Sequence, residues 1–288
     1  MEKNLNDLKL LDGTKYIHAA NYIQKYRNYN ELSAIQKKAL DLLLPQYRKF
    51  LEGNKKLSGH TKNIIQKRTR LLNTYFDYIT NNGFDNTFTA QSKFRPTIME
   101  EFMYIVFADL IDQIKSKISD SNDNLKLGGT KAYTNLYFAA KNLEEFVREP
   151  KIGVNQKDQD FAIFRPITLN IENTGNIQTN LPIVAIENKT YIDKTMLEGS
   201  IATAEKIKSG NPYSLFIIVT ETYEVDLSVD PAYSRIDQIY VLRKSKRRDG
   251  RQQIYHEVVF DLVDNIYNHL IRNWSDIEQK MRDTGRII

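Results

Sequence analysis

Along the first third of the chain, apolar residues recur every three or four positions, the interval of one helical face. Segments 16–29, 32–51 and 61–79 carry this spacing, and each predicts a helix. Pro45 interrupts the second. Lacking an amide donor and crowding the preceding turn, it is expected to kink or end that helix. Pro96 opens a further candidate, PTIMEEFMYIVFADLIDQIKSKI, where its fixed φ suits a first helical turn. The polar run SDSNDN, residues 119–124, then breaks the pattern and sets the expected boundary between a helical region, 1–118, and a core, 119–288.

Past the break the pattern changes. LGGTKAYTNLYFAA mixes turn residues with β-formers, and KNLEEFVREP reads as a short helix closed by Pro150. QDFAIFRPITLNI and LPIVAIENK are strand candidates separated by a polar loop, ENTGNIQTN. TMLEGSIATAEKIK, residues 195–208, has helical spacing and leads into the buried strand YSLFIIVT. Strand, helix, strand at this spacing predicts a βαβ crossover with its two strands parallel. RIDQIYVLRK and RQQIYHEVVF flank Asp249-Gly250, a turn dipeptide that predicts a hairpin. Helical periodicity returns through Asn265, Leu270 and Trp274. The sum is an α/β (α+β) chain: a mixed central β-sheet with a helical N-terminal region.

Composition narrows the function classes. With 288 residues, 41% hydrophobic and 27% charged, the chain can build a sizeable core. The absence of cysteine removes disulfides, thiolate metal sites and cysteine nucleophiles, and fits a reducing interior. No apolar run approaches a membrane span, and the charged stretch MEKNLNDLKLLDGTK has no signal-peptide core. A cytoplasmic protein with no membrane partner is expected. The net charge of +5 and pI near 9.0 favour a polyanionic partner such as nucleic acid.

The candidate chemistry lies at IVAIENKTYID, residues 183–193, where an apolar run stops at Glu187, Asn188 and Lys189. In a strand, Glu187 and Lys189 share a face about 7 Å apart. Alone, Glu-x-Lys is a common solvated ion pair. Its place at the end of an apolar strand, and Asp160 at the head of the preceding strand, change its weight. Two carboxylates meeting at one sheet edge repel unless a cation lies between them. Mg²⁺ suits the position, being hard and usually bound through one or two carboxylates with water and phosphate. Lys189 can then orient or help deprotonate an attacking water and stabilise charge on a phosphate.

Asp, a gap, then Glu-x-Lys at a strand end resembles the signature of the PD-(D/E)XK nucleases, with Asp160, Glu187 and Lys189 on its three positions and Gln159 where the pattern often has proline. KDQDFAIFR and IENKTYIDKTMLE resemble the restriction endonucleases of the heterodimeric BbvCI type, a likeness extending over about Leu125 to Val219. That resemblance implies a bacterial, Mg²⁺-dependent type II restriction endonuclease acting on double-stranded DNA. Asp160, Glu187 and Lys189 would be catalytic, and Asp160 and Glu187 the metal ligands. The partner would be a second related subunit in a heterodimer, or another copy by self-association. The helical region 1–118 would serve DNA binding or dimerisation. A non-cleaving DNA-binding subunit, and a repair or modification-dependent nuclease of the same fold, stand as alternatives.

Asp158 competes with Asp160, which is preferred for abutting the apolar strand. Glu198 reads either as a further ligand or as the acid of a capping box with Thr195, and capping is favoured. Asp193 and Lys194 can touch phosphate or merely belong to a loop. His18, His60, His256 and His269 show no ligand spacing and read as structural or surface residues. Arg243, Lys244, Lys246, Arg247, Arg248 and Arg251 crowd the tip of the predicted hairpin, either as a groove-reading ribbon or as a solvated turn. Lys62, Lys67, Arg68 and Arg70 lie on a predicted helix, facing either phosphate or water.

Overall fold

The computed structural model describes residues 6–9, 11–88, 94–119, 122–171, 175–272, 274 and 277–287. Five helices come first: α1 (Asn6–Lys9), α2 (Ile17–Arg27), α3 (Ala34–Lys55), α4 (Lys62–Asn81) and α5 (Pro96–Lys117). Ser33 starts α3 through a reciprocal box with Gln36, which satisfies two of the free first-turn groups. Of the two outcomes expected at Pro45, an end does not occur: α3 runs ten residues beyond, to Lys55. The lost amide bond is offset by burial of Leu43, Leu44 and Tyr47 on either side. Pro96 does occupy the first turn of α5.

The sheet contains β1 (Lys126–Ala139), β2 (Lys151–Ile171), β3 (Gly175–Ile192), β4 (Leu215–Tyr223) and β5 (Gln238–Val241), adjacent in that order. β1, β2 and β3 pair antiparallel in succession, and β3, β4 and β5 pair parallel. The short helix α6 (Leu143–Arg148) joins β1 to β2, and α7 (Lys194–Gly210) makes the expected crossover from β3 to β4. Gly210 packs so close to β1 that a Cβ there would lie 1.9 Å from the Thr134 carbonyl.

Two sequence expectations change. The polar stretch 172–180 is strand from Gly175 onward, because Asn176 to Thr179 pair with Asn170 to Ile167 on β2. Polar side chains suit an antiparallel ribbon that faces water. Residues 172–174, like 120–121 of the polar break, lie outside the described residues. The hairpin around Asp249-Gly250 does not form. β5 has four residues and pairs in parallel with β4, while His256 begins α8 (His256–Ile271). Buried Val259, Leu262, Val263 and Ile266 recur at helical spacing, and this outweighs the alternation read in QQIYHEVV. α9 (Ile277–Thr284) follows.

The sheet lies between two apolar layers. Phe161, Ile163, Val184, Ile186, Ile217 and Val219 join the side chains of α2 to α5 and α8 in one large cluster. Ala185, Phe216 and Ile218, from the opposite face, pack on Leu197, Ala204 and Ile207 of α7. Among the helices a polar group is sealed in. Glu101 accepts bonds from the His18 and Ala19 amides and the Tyr47 hydroxyl, and the His18 ring bonds Thr97 and Tyr75. Burial pushes the Glu101 carboxyl up to about 7 and the His18 ring down to about 3. No helix among the described residues is long and apolar enough to cross a membrane.

Candidate active site

The strand pairing Phe161↔Ile186 places Asp160 beside Glu187 one step further along the antiparallel ladder. β3 is also held on its other side, Glu187 against Ile218 and Lys189 against Thr220 of β4, so its backbone is fixed where the apolar run ends. Alternation puts Ala185, Glu187 and Lys189 on the α7 face. There Lys189 Nζ lies 3.4 Å from Glu187 Oε2 and 3.9 Å from Asp160 Oδ2.

Each carboxylate is held by the chain itself. The Asn188 amide donates to Asp160 Oδ2 over 2.9 Å, and buried Ser200 of α7 donates its hydroxyl to Glu187 Oε2 over 2.6 Å. Side-chain exposure rises from 11% at Glu187 to 30% at Lys189 and 34% at Asp160. The site is anchored in the sheet at one end and reachable from solvent at the other. Two hard oxygen donors and one ammonium leave a net charge of −1. That charge and donor set fit a cation such as Mg²⁺, which needs no third protein carboxylate. No group of three or more His, Cys, Asp or Glu able to hold a metal occurs among the described residues.

A family profile of the Bpu10I restriction endonuclease matches residues 91–279, well over half of the chain and all of this site. The chain belongs to the Bpu10I restriction endonuclease family. The match agrees with the restriction-endonuclease resemblance read from the sequence. The solved structure titled "native BbvCI A2B2 tetramer at low resolution" is similar in fold, with a TM-score of 0.64 at 19% identity over 88% of this chain and 95% of that one. It supports the mixed sheet with helices expected above. An "Uncharacterized serpin-like protein" of Methanosarcina acetivorans is 27% identical over 156 residues, 52% of this chain and 34% of that protein. The chain thus spans about a third of that relative's length.

Around this site the structure departs from the sequence expectations in several places. Asp158 lies opposite Lys131 of β1 on an exposed part of β2. The cap of α7 is Asp193, whose carboxylate accepts from the Met196 amide over 2.8 Å, rather than Thr195. The helix begins one residue earlier than its apolar spacing implied, and Glu198 reaches out to Lys194 at 4.0 Å. Arg243 is not at a solvent-facing tip. It is buried against Glu221, with Nε at 2.8 Å and Nη2 at 2.7 Å, and also bonds the Gln252 carbonyl. Arg68 is likewise buried, on Asp109 at 2.7 Å and the Leu57 carbonyl. Both are structural because a guanidinium enclosed beside a carboxylate is committed to it.

The other basic candidates stay at the surface. Lys67 and Arg70 are exposed on α4. Lys244 lies over the Tyr255 ring, and Lys246 donates to the Val225 carbonyl. Arg248 is exposed. Arg247 lies over the Tyr191 ring at 4.8 Å. With Arg95 and Arg251 it lines a cavity of about 520 Å³ that also takes in Thr190 and Tyr191, the residues directly after Lys189. Arg95 and Ser200 were missed in the sequence. His18 and His269 are buried, as structural histidines should be.

Proposed function

We propose that this chain is one subunit of a Mg²⁺-dependent type II restriction endonuclease that hydrolyses phosphodiester bonds of double-stranded DNA at a short specific site. Asp160, Glu187 and Lys189 are its catalytic groups. The reading rests on one observation: an ammonium lies within 4 Å of two carboxylates from neighbouring strands, inside the family-matched span. Asp160 and Glu187 would hold Mg²⁺, which when bound supplies charge stabilisation to the phosphoryl oxygens. The Asn188 amide and Ser200 fix the two carboxylates in place, so their geometry does not have to be organised during the reaction. Lys189, on a short tether at the rim, orients or helps deprotonate the water that attacks the phosphorus in line. It also offsets charge on the phosphate as the P–O bond to the leaving oxygen breaks.

DNA approaches over the rim that carries Lys189. Arg247 and Arg251, which share a cavity with Thr190 and Tyr191, take phosphate contacts, and Arg248, Lys244, Lys246, Lys67 and Arg70 add to them from elsewhere on the surface. These supply affinity and salt dependence rather than sequence choice. Residues 1–118 serve DNA binding or dimerisation around the catalytic core, 119–288. One catalytic set cuts one strand, so cleavage of a duplex requires a second subunit, related or identical. The enzyme works in the bacterial cytoplasm. Asp160→Ala and Glu187→Ala are each expected to abolish Mg²⁺-dependent cleavage of phage DNA while leaving DNA affinity within a few-fold. Full cutting by both variants refutes the assignment, and a wild-type chain that binds DNA but never cuts it identifies a non-cleaving subunit instead.

A further inference from the structure

Past Lys189 the surface holds two adjoining cavities of opposite charge. The nearer, of about 520 Å³, takes in Thr190 and Tyr191. Its charged residues are four arginines, Arg95, Arg243, Arg247 and Arg251, against two acids, Asp85 and Glu221, so cations prevail. Thr222, 8% exposed, also lines it, and its hydroxyl has no hydrogen-bond partner among the described residues. The second cavity, of about 590 Å³, opens between α4 and residues 252–257. Apart from His256, its charged residues are Arg70 against Asp77 and Glu257, so acids prevail, and Gln66, Gln252 and Gln253 line it as well. Asp77 links the two. Its Oδ1 faces Arg251 at 3.7 Å, and its Oδ2 accepts from Gln253 Nε2 over 3.4 Å.

The main chain of the second cavity is fixed while its side chains are free. Asn73, buried on α4, donates to the Ile254 carbonyl and accepts from the Ile254 amide, each over 2.9 Å. The Gln252 carbonyl accepts from Arg243, and the Tyr255 amide donates to the Leu242 carbonyl. Gln66 and Gln252 are nevertheless exposed, and their side-chain amides bond nothing among the described residues. A locked backbone that presents unengaged polar side chains is the preorganisation a recognition surface requires.

A glutamine amide carries a donor and an acceptor side by side and no charge. It adds little to the binding of a phosphate, but it matches the N6 and N7 edge of adenine. The acids of the second cavity disfavour a phosphate there, whereas a carboxylate accepts from the cytosine amino group. The arginines of the first cavity and the Thr222 hydroxyl suit the backbone instead. Tyr191 stands two residues past Lys189, about 7 Å along β3, which is about two steps of a strand that rises roughly 3.4 Å per nucleotide. We infer that Gln66 and Gln252 read base edges of the substrate duplex, while the arginine cavity holds the phosphates next to the scissile one. The inference rests on the proposed action on double-stranded DNA. It divides the surface beyond Lys189 into a part that positions the strand and a part that chooses the sequence, and it gives α4, within the helical region, a share in that choice.

Selection from a library of randomised duplexes tests the inference without any cutting. The Asp160→Ala chain, with Mg²⁺ present, is expected to enrich one short motif. Adding Gln252→Ala or Gln66→Ala should lower the preference at one or two positions of that motif about 5–100-fold. Non-specific affinity, the salt slope and the melting temperature should stay as they were, since both side chains are exposed. Arg247→Ala should instead weaken every duplex alike and reduce the salt slope by about 1. Uniform weakening with a shallower salt slope in the glutamine variants makes them phosphate contacts and overturns the inference. So does an unchanged motif in both variants, or a parent chain that enriches no motif. The two proposals fail separately. A chain that enriches a motif, loses part of it with Gln252→Ala and yet never cuts as wild type sinks the nuclease reading alone. Discrete cutting at one unaltered site by the wild type and by both glutamine variants sinks the base-reading inference alone.

Discussion

Arg243→Met asks whether the most conspicuous arginine of the basic cluster serves the fold or the DNA. In the structure its guanidinium is 4% exposed and shares Glu221, 7% exposed, with Arg95 at 3.0 Å. Removing one partner of a buried ion pair costs about 3–5 kcal/mol, because the remaining charge stays enclosed. Arg95 continues to face Glu221, which moderates the loss. The Gln252 carbonyl also loses its bond from Arg243, which adds to it. We expect about 3 kcal/mol, and at ~2–4 °C per kcal/mol for a chain of this size a melting temperature lower by about 6–12 °C.

The pH dependence carries a sign. Burial raises the Glu221 carboxyl, but Arg95 and Arg243 together outweigh it and hold the group below its ordinary 4.5. The pair's stabilisation is therefore complete above pH 4.5 and fades as the pH falls below it. The gap in melting temperature between wild type and Arg243→Met should narrow in acid. Calorimetry at several pH values, beside DNA binding by fluorescence anisotropy, gives both readings. Arg248→Ala, at a position 79% exposed, is the control: unfolding within about 0.5 kcal/mol of wild type, and a salt slope of DNA binding reduced by about 1 if it contacts phosphate. An Arg243→Met protein that melts within about 2 °C of wild type while losing DNA affinity refutes the structural role.

Two further substitutions test the surroundings of the site and of the helical core. Ser200→Ala removes the 2.6 Å bond to Glu187. Cleavage should fall about 10–100-fold, the usual cost of losing a group that orients a ligand, with DNA affinity unchanged and the loss partly recovered at raised Mg²⁺; unchanged cleavage at limiting Mg²⁺ contradicts it. Glu101 is pushed up to about 7 by burial, and His18 down to about 3. The first favours folding below pH 4.5 and loses that contribution as the pH rises through 7. The second loses stability as the pH falls from 6.5 towards 3. From pH 6.5 to 8 wild type should lose about 1 kcal/mol relative to Glu101→Gln, the contribution of His18 being common to both proteins. Parallel curves for the two proteins by urea unfolding count against it.

How much could be read in advance follows from how far apart the deciding groups lie. Asp160 and Glu187 were legible because strand alternation and a single antiparallel pairing fix both their face and their neighbour. The helices α2 to α5 and the β3–α7–β4 crossover were legible because their periodicity is local and long. The cap of α7 is also legible in the sequence: Asp193 stands directly before the helix and is a stronger N-cap than Thr195.

The other departures share one cause. Arg243 reads as surface when it is counted among its basic neighbours, and only Glu221, in the apolar run LFIIVTETY, reveals otherwise. A carboxylate on a strand buried on both faces must have a cationic partner, and Arg243 and Arg95 are the two that reach it. That inference runs from the acid to the arginine, never from the charge cluster inward. Asp249-Gly250 failed as a hairpin signal for the same reason. A turn dipeptide specifies local backbone only, whereas the path from Leu242 to Tyr255 is closed by the bond from the Tyr255 amide to the Leu242 carbonyl and by Arg243 held on Glu221. The segment around α6 shows the converse limit: Leu143, Phe146 and Val147 have the spacing of a core helix face yet are 76%, 55% and 77% exposed, because pattern reports apolar content and not which of it the fold covers.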